Sequence, residues 1–307
     1  MYRQKTTLEQ WRMLQAVVDN GGYAQAAEAL NKSPSSLNHA VAKLQDQLGV
    51  TLLEVKGRKA VLTSTGEVLL RRSRALTDTV ETLESLARNI ECGWEPEIRL
   101  AVESIYPPAL LSQALQRFVP DSRGSRLQVY HTVLTGTEEF ITQGRADVAI
   151  TSMIPKGFMG KVLTSIDILP VVHHSHPLAS RSEAISGDEL AKELQLVIRD
   201  TALQPKETIG WLKAENRWTF NHFSDALTVL RAGLGFIWAP AHWVTAELAR
   251  GDLQQLAIQD GGKRSALLHL VIPDPDRLGP GSRLLADCLL ANHPDSESVP
   301  VTASSQP

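Results

Sequence analysis

GYAQAAEALNKSPSSLNHAVAK, residues 22–43, holds two amphipathic segments joined by a tight polar turn. Ala24, Ala26, Ala27, Ala29 and Leu30 keep the first segment slim enough to pack closely against a second one. Asn31 and Lys32 interrupt the apolar pattern, and Ser33-Pro34 restarts a helix. A serine caps exposed backbone N–H groups, and proline suits the first helical position because it has no N–H to leave unpaired. Leu37, Val41, Leu44 and Leu48 then give one apolar face at helical spacing. The other face offers Ser35, Ser36, Asn38, His39, Lys43 and Gln45, hydrogen-bonding groups of the kind that meet base edges. The pattern is a helix-turn-helix over residues 23–42, with Ser33 to Lys43 as the reading surface and double-stranded DNA as the first partner to test.

The next stretch of chain strengthens that reading. Gly49 to Val55 and Ala60 to Leu62 are short apolar runs around the basic loop Lys56-Gly57-Arg58-Lys59. Such a pair reads as a β-hairpin, a wing whose Lys56, Arg58 and Lys59 reach backbone phosphate. Residues 1–63 are thus expected to form a winged helix-turn-helix domain.

Residues 64–91 read as one linker helix, with no proline and a single glycine, Gly66. Ser64 and Glu67 have capping-box spacing, with Thr63 as the alternative cap. Leu69, Leu76, Leu83 and Ile90 recur every seven residues, and Ser73, Val80 and Ala87 interleave to complete a heptad seam. One narrow apolar stripe on so long a helix needs a cover, either its own domain or the same helix of a second chain. Leu69, Leu76, Val80, Leu83, Ala87 and Ile90 are the expected dimerisation residues. Arg71, Arg72 and Arg74 read as a solvated basic turn.

Gly93 and Pro96 mark a hinge over 92–97, after which the period changes. Strands are expected at Ile98–Val102, Leu127–Val133, Ala146–Thr151, Ile168–His173, Leu196–Arg199, Phe236–Ala239 and Leu267–Ile272. Helices are expected at Ala109–Phe118, Thr137–Gln143, Gly187–Glu193, Ser224–Ala232 and Ala241–Arg250. This alternation argues for an α/β domain with a largely parallel sheet. The run from Ile141 to Ile150 echoes that from Leu230 to Ala239: a helix end, a glycine turn and a buried strand. Residues 293–307, rich in Ser, Pro and Asp, read as a disordered tail.

The run SSLNHAVAKLQDQLGVTLLEVKGRKAVLTSTGEVLL resembles the N-terminal domain of LysR-type transcriptional regulators. Leu44, Leu48-Gly49, Leu52-Leu53, Arg58, Leu62-Thr63 and Gly66 fall where that family's pattern puts them. Pro34-Ser35, Asn38-His39 and Leu53-x-Val55 depart from its common text, so fold and docking mode carry over while base preference does not. The later part resembles the family's periplasmic-binding-protein-type effector domain at Gly144-x-x-Asp147-Val-Ala-Ile150, at His176-Pro177-Leu178-Ala179, and at Ala232-Gly233-Leu234-Gly235 with Pro240. The resemblance covers residues 5–292. It implies two α/β lobes, one made of 98–167 and 268–292 and the other of 168–267. A small-molecule effector binds between them, and no other cofactor is implied. It also implies a bacterial, cytoplasmic homodimer or homotetramer that binds a pseudo-palindromic operator and works with RNA polymerase.

In such a fold the ligand meets the carboxyl ends of strands and the starts of the following helices. Here those places hold Glu103, Ser104, Ile105 and Tyr106; Thr135 and Gly136; Thr151 and Ser152; and, in the other lobe, Arg199, Thr201 and Phe223. The competing class is a metabolite-binding protein or enzyme whose N-terminal domain serves only assembly.

Charge, cysteine and motif counts narrow the classes. Residues 1–90 carry 12 Lys/Arg against 9 Asp/Glu, and the remainder 19 against 25, so the mild positive excess sits at the DNA-facing end. Two cysteines, Cys92 and Cys288, give no disulfide framework and fit a reducing compartment. No apolar signal core and no run of about 18 apolar residues appears, so no membrane partner is expected. His174 and His176, alternate residues on a strand, invite a metal site, but no Cys or second His cluster assists, and none is assigned. Neither G-x-S-x-G nor H-E-x-x-H occurs, which leaves no enzyme motif.

Overall fold

The structure, a computed structural model, describes residues 4–56, 59–205, 212–259 and 262–293. The chain divides into two units, Met1–Glu91 and Cys92–Pro307. The first runs α1 (Leu8–Asp19), α2 (Tyr23–Ala29), α3 (Pro34–Leu48), β1 (Leu53–Lys56), β2 (Lys59–Leu62) and α4 (Ser64–Glu91). Sequence patterning did not separate α1 from its surroundings. It starts on a reciprocal cap, in which Gln10 N donates to Thr7 Oγ1 (3.3 Å) and Thr7 N donates to Gln10 Oε1 (2.7 Å). Its Met13, Leu14 and Val17 complete a core with Ala26, Ala27, Leu37, Val41, Leu44 and Leu52.

The wing is an antiparallel pair with Lys56 opposite Lys59; Arg58 lies outside the described residues. Gln45 is a correction to the expected reading face. It turns inward, its Oε1 accepting from Leu52 N (2.7 Å) and Leu53 N (3.0 Å), and so fixes the start of the hairpin. Of the two candidate caps for α4, Thr63 serves: Gly66 N donates to Thr63 Oγ1 (2.9 Å), and the same hydroxyl donates to Thr51 O (2.8 Å). Gly66 is required by close approach, because a Cβ there would lie 2.1 Å from Leu52 O.

The first turns of α4 pack on their own unit. Leu70 is buried, Leu69 joins the same cluster, and buried Ser73 accepts from Gln15 Nε2 (3.0 Å). Arg74 is ion-paired with Asp19. Further along, Leu76, Leu83 and Ile90 are 56%, 60% and 48% exposed. Ala87 is exposed and Val80 half-buried. The uncovered stripe therefore begins at Leu76, one heptad later than the sequence pattern, because the helix bundle itself covers Leu69 and Ser73.

The second unit runs β3 (Glu97–Glu103), α5 (Pro108–Phe118), β4 (Arg126–Thr132), α6 (Thr135–Thr142), β5 (Val148–Thr151), β6 (Gly160–His173), α7 (Gly187–Ala191), β7 (Gln195–Ile198), β8 (Arg217–Phe220), α8 (Phe223–Arg231), β9 (Phe236–Pro240), α9 (Ala241–Arg250), β10 (Leu253–Gln255), β11 (Arg264–Val271) and α10 (Pro280–Leu290). The sheet order is β4-β3-β5-β11-β6-β9-β7-β8, with β10 on β6. This sheet is mixed, not largely parallel. Each lobe keeps a parallel trio, β4-β3-β5 and β8-β7-β9, but β6 and β11 run antiparallel to their neighbours and carry the chain between lobes. β6 begins eight residues before the expected strand; it pairs with β11 over 160–168 and with β9 over 168–172. Ile98, Leu100, Val148, Ile150, Leu270 and Leu289 build one lobe's core, and Val171, Leu196, Leu227, Leu230 and Ile237 the other's.

Two residues of the expected hinge are fastened to this unit. Trp94 is buried, with Nε1 donating to Ser122 O (3.0 Å) and Ser125 Oγ (2.8 Å) and the Arg123 guanidinium 4.4 Å above its ring centre. The Glu95 carboxylate accepts from Gly281 N (2.9 Å) and Ser282 N (3.0 Å), capping α10. Of the expected tail, residues 294–307 lie outside the described residues.

Candidate functional site

In the first unit, Leu37, Val41 and Leu44 point α3 into the core and turn its opposite face outward. Ser33, Pro34, Ser35, Ser36, Asn38, His39 and Lys43 are all exposed. Ser33 caps the helix through Ser36 N (3.2 Å) and also meets Ser35 Oγ at 3.0 Å, so the first turn is held in one geometry. A rigid helix presenting an amide, an imidazole, hydroxyls and an ammonium suits base edges and phosphates in a major groove.

In the second unit a cavity of about 670 Å³ opens between the lobes. Six of the expected ligand residues line it: Glu103, Ser104, Ile105, Ser152, Arg199 and Phe223. The apolar part of its wall includes Val133, Ile168, Ile198, Ile237 and Ala266. Glu103 is 3% exposed, and its two carboxylate oxygens accept from Ser152 N (2.5 Å) and Ser152 Oγ (2.8 Å). Burial pushes its carboxyl up to about 7; the Ser152 bonds oppose the rise and the charge of Asp200 adds to it.

The other five expected residues do not line the cavity. Tyr106 is buried and bonds His293 Nε2 at 3.0 Å, near the end of α10. Thr151 Oγ1 donates to Met153 O (2.9 Å) within a turn. Thr135, Gly136 and Thr201 instead join the two lobes. Gly136 N donates to Asp200 Oδ1 (3.1 Å), Thr135 N donates to Asp200 Oδ2 (3.2 Å), and the Thr135 hydroxyl donates to the same oxygen. Val133 N donates to Thr201 Oγ1 (2.9 Å), and Leu203 N donates to Glu139 Oε2 (2.9 Å). Asp200 thus sits as an anion on the N-terminus of α6, where unpaired amides and the helix dipole favour it. Leu134, at φ 50° and ψ −120°, is the strained residue that aims this helix start at the bridge.

Sequence reasoning missed Asp200, Arg217, Trp238 and Arg264, which complete the cavity wall or the bridge. Arg264 stacks over Trp238 at 4.7 Å, and Arg217 donates to Leu212 O (3.3 Å). In the histidine run the ring centres of His173 and His174 lie 4.3 Å apart. His173 bonds Ser175 Oγ (2.8 Å), while buried His176 accepts from Leu178 N (3.2 Å) and caps a short turn. Among the described residues, no group of three or more His, Cys, Asp and Glu is placed to hold a metal ion. Asp147, in the Gly144-x-x-Asp motif, bonds Arg99 N and its guanidinium (both 2.7 Å), locking β5 to β3.

Residues 8–67 match the family model described as bacterial regulatory helix-turn-helix protein, lysR family. Residues 93–294 match that of the LysR substrate binding domain. The chain is 30% identical over 254 residues to the uncharacterized HTH-type transcriptional regulator YeeY of Escherichia coli, covering 81% of this chain and 82% of that one. It is 27% identical over 253 residues to the HTH-type transcriptional regulator PunR of Escherichia coli, covering 81% and 82%. Its fold is similar to that of a cysteine mutant of Corynebacterium glutamicum OxyR, with a TM-score of 0.50 at 20% identity over 95% of this chain and 93% of that one.

Proposed function

Because the chain belongs to the LysR family of transcriptional regulators, we propose that it reads a pseudo-palindromic operator as a homo-oligomer, dimer or tetramer, with α3 in the major groove. A small effector in the interlobe cavity shifts the balance between lobe arrangements and so changes the hold on DNA; to do that it must bind one arrangement better than the other. The same reading makes RNA polymerase a partner and places the protein in the bacterial cytoplasm. It works by binding, without a catalytic step or a resident cofactor. Among the described residues, no helix is long and apolar enough to cross a membrane. The observation that carries the proposal is the capped α3, buried on one face by Leu37, Val41 and Leu44 and exposed at Asn38, His39 and Lys43 on the other.

Gel shift on the region upstream of the protein's own gene tests it. Binding is expected to be selective for sequence and to weaken steeply with salt. Asn38→Ala and His39→Ala should alter site preference by about tenfold, the size of a lost base contact, whereas Lys56→Ala in the wing should weaken all sites alike. Absence of selective binding would sink the operator reading.

A further inference from the structure

Strand register gathers three arginines on one face of the second lobe's sheet. Arg217 pairs with Gln195 and Thr219 with Val197, while Gln195 pairs on its other side with Phe236. Continuing that parallel register sets Val197 beside Trp238 and Arg199 beside Pro240. Pro240 pairs in turn with Ile168, and Ile168 with Arg264. Partners across a ladder and alternate residues along a strand share a face, so Arg199, Arg217, Arg264 and Trp238 stand on the same side. All four line the interlobe cavity. The row from Arg199 to Arg264 crosses three strand spacings, about 14 Å. Arg264 reaches inward along it, its guanidinium 4.7 Å above the Trp238 ring centre. Arg199 stands on the strand next to that of Trp238, so both guanidiniums can address one group there.

No acid interrupts this face: the residues that share it on β6, β7, β8 and β9 are otherwise neutral. Asp200, next in the chain to Arg199, is turned to α6, where Thr135, Gly136 and Ala202 fill its oxygens. Among the described residues none of the three arginines is ion-paired. Arg217 donates to Leu212 O (3.3 Å), and Arg264 is held by its stacking on Trp238. Burial lowers the Arg264 guanidinium below its usual value, with no acid to offset it. Glu103, on the other lobe, is the remaining carboxylate of the wall. Its oxygens accept from Ser152, and a carboxyl raised to about 7 is partly neutral at neutral pH, so it opposes an anion weakly.

Building on the regulator reading, we propose that the effector is an organic anion, a carboxylate or phosphate on an apolar body, whose charged group lies between Arg199 and Arg264. A guanidinium fork matches two oxygens of either group, and stacking on Trp238 fixes the direction of the Arg264 fork. Arg217 adds positive field from further along the same face. The apolar body runs along Ile168 and Ala266 and meets Ile105 of the first lobe. One ligand thus touches both lobes, as an effector that shifts their arrangement must.

Calorimetric titration of the full-length protein with hydrocinnamate, phenyl phosphate and phenethylamine compares a carboxylate, a phosphate and an ammonium on similar apolar bodies. At least one anion is expected to bind at millimolar concentration or below, and phenethylamine at least about tenfold more weakly. The tighter anion identifies the group that the arginines prefer. Arg199→Gln and Arg264→Gln should each lower its affinity about tenfold, the size of a lost charge-assisted hydrogen bond. Arg199 is exposed, so its replacement leaves the core untouched, and a cooperative melting transition in both variants separates lost recognition from lost folding. Preference for phenethylamine, no anion bound at millimolar concentration, or anion affinity unmoved by Arg199→Gln or by Arg264→Gln overturns the proposal. Failure of the unmutated protein to bind DNA selectively counts against the regulator reading instead, so the two failures are distinguishable.

Discussion

Glu103 ties ligand chemistry to stability at the level of a single residue. Its carboxyl titrates near 4.5 in the ordinary case and about 7 in the folded protein. Between those values the folded chain holds a proton that the unfolded chain has released. Stability therefore falls as pH rises from about 4.5 to 7 and remains lowered above that, by on the order of 3 kcal/mol from this group. Thermal melts at pH 5 and pH 8 should show the effect, with Glu103→Gln gaining most at pH 8 and showing a flatter profile. Equal pH dependence in both proteins would mean that Glu103 ionises normally. Gly66 supports a second residue-scale prediction. The 2.1 Å approach of a Cβ to Leu52 O leaves no room for alanine, and the obstacle is backbone. Gly66→Ala should destabilise the first unit by about 1–3 kcal/mol and weaken operator binding, measured by denaturant melts and gel shift. An unchanged melt would show that α4 can slide off Leu52 at no cost.

Among the elements, α4 carries the clearest unmet demand. Leu76, Leu83 and Ile90 are about half exposed at seven-residue spacing, and covering what remains of each contributes on the order of 1 kcal/mol. Leu76→Asp with Leu83→Asp should dissociate the oligomer and reduce operator affinity, read by light scattering and gel shift; an unchanged mass would place the interface elsewhere. This stripe was legible in the sequence because heptad spacing is local, as was the turn before α3, set by Ser33-Pro34. The inward turn of Gln45 was not, because it depends on where the wing begins. β8 escaped notice because Arg217, Trp218 and Thr219 are exposed and its edge position leaves no apolar alternation to read. In the cavity, Glu103, Ser104, Ile105, Ser152, Arg199 and Phe223 were readable from strand ends and helix starts. Asp200 was not: its partners Thr135 and Gly136 lie 65 and 64 residues away, a relation no local pattern encodes.

Across the effector unit as a whole, the bridge from Asp200, Thr201 and Leu203 to α6 holds the two lobes together. Gly136 is where the bridge is tightest, since a Cβ there would lie 1.9 Å from Thr201 Oγ1. Gly136→Ala should part the lobes, raising the radius of gyration in small-angle scattering and lowering the response of DNA binding to effector. An unaltered scattering curve would show that Thr201 swings aside and that the bridge survives. The grip of Glu95 on α10 reaches further than a helix cap. It joins residues 186 and 187 positions apart, so the effector unit closes on itself like a clasped ring. A fragment begun at Ile98 would leave the amides of Gly281 and Ser282 without their acceptor, and one stopped before Pro280 would strand Glu95. Damage at either end of the unit is therefore felt at the other, and the smallest faithful excision runs from Gly93 to His293.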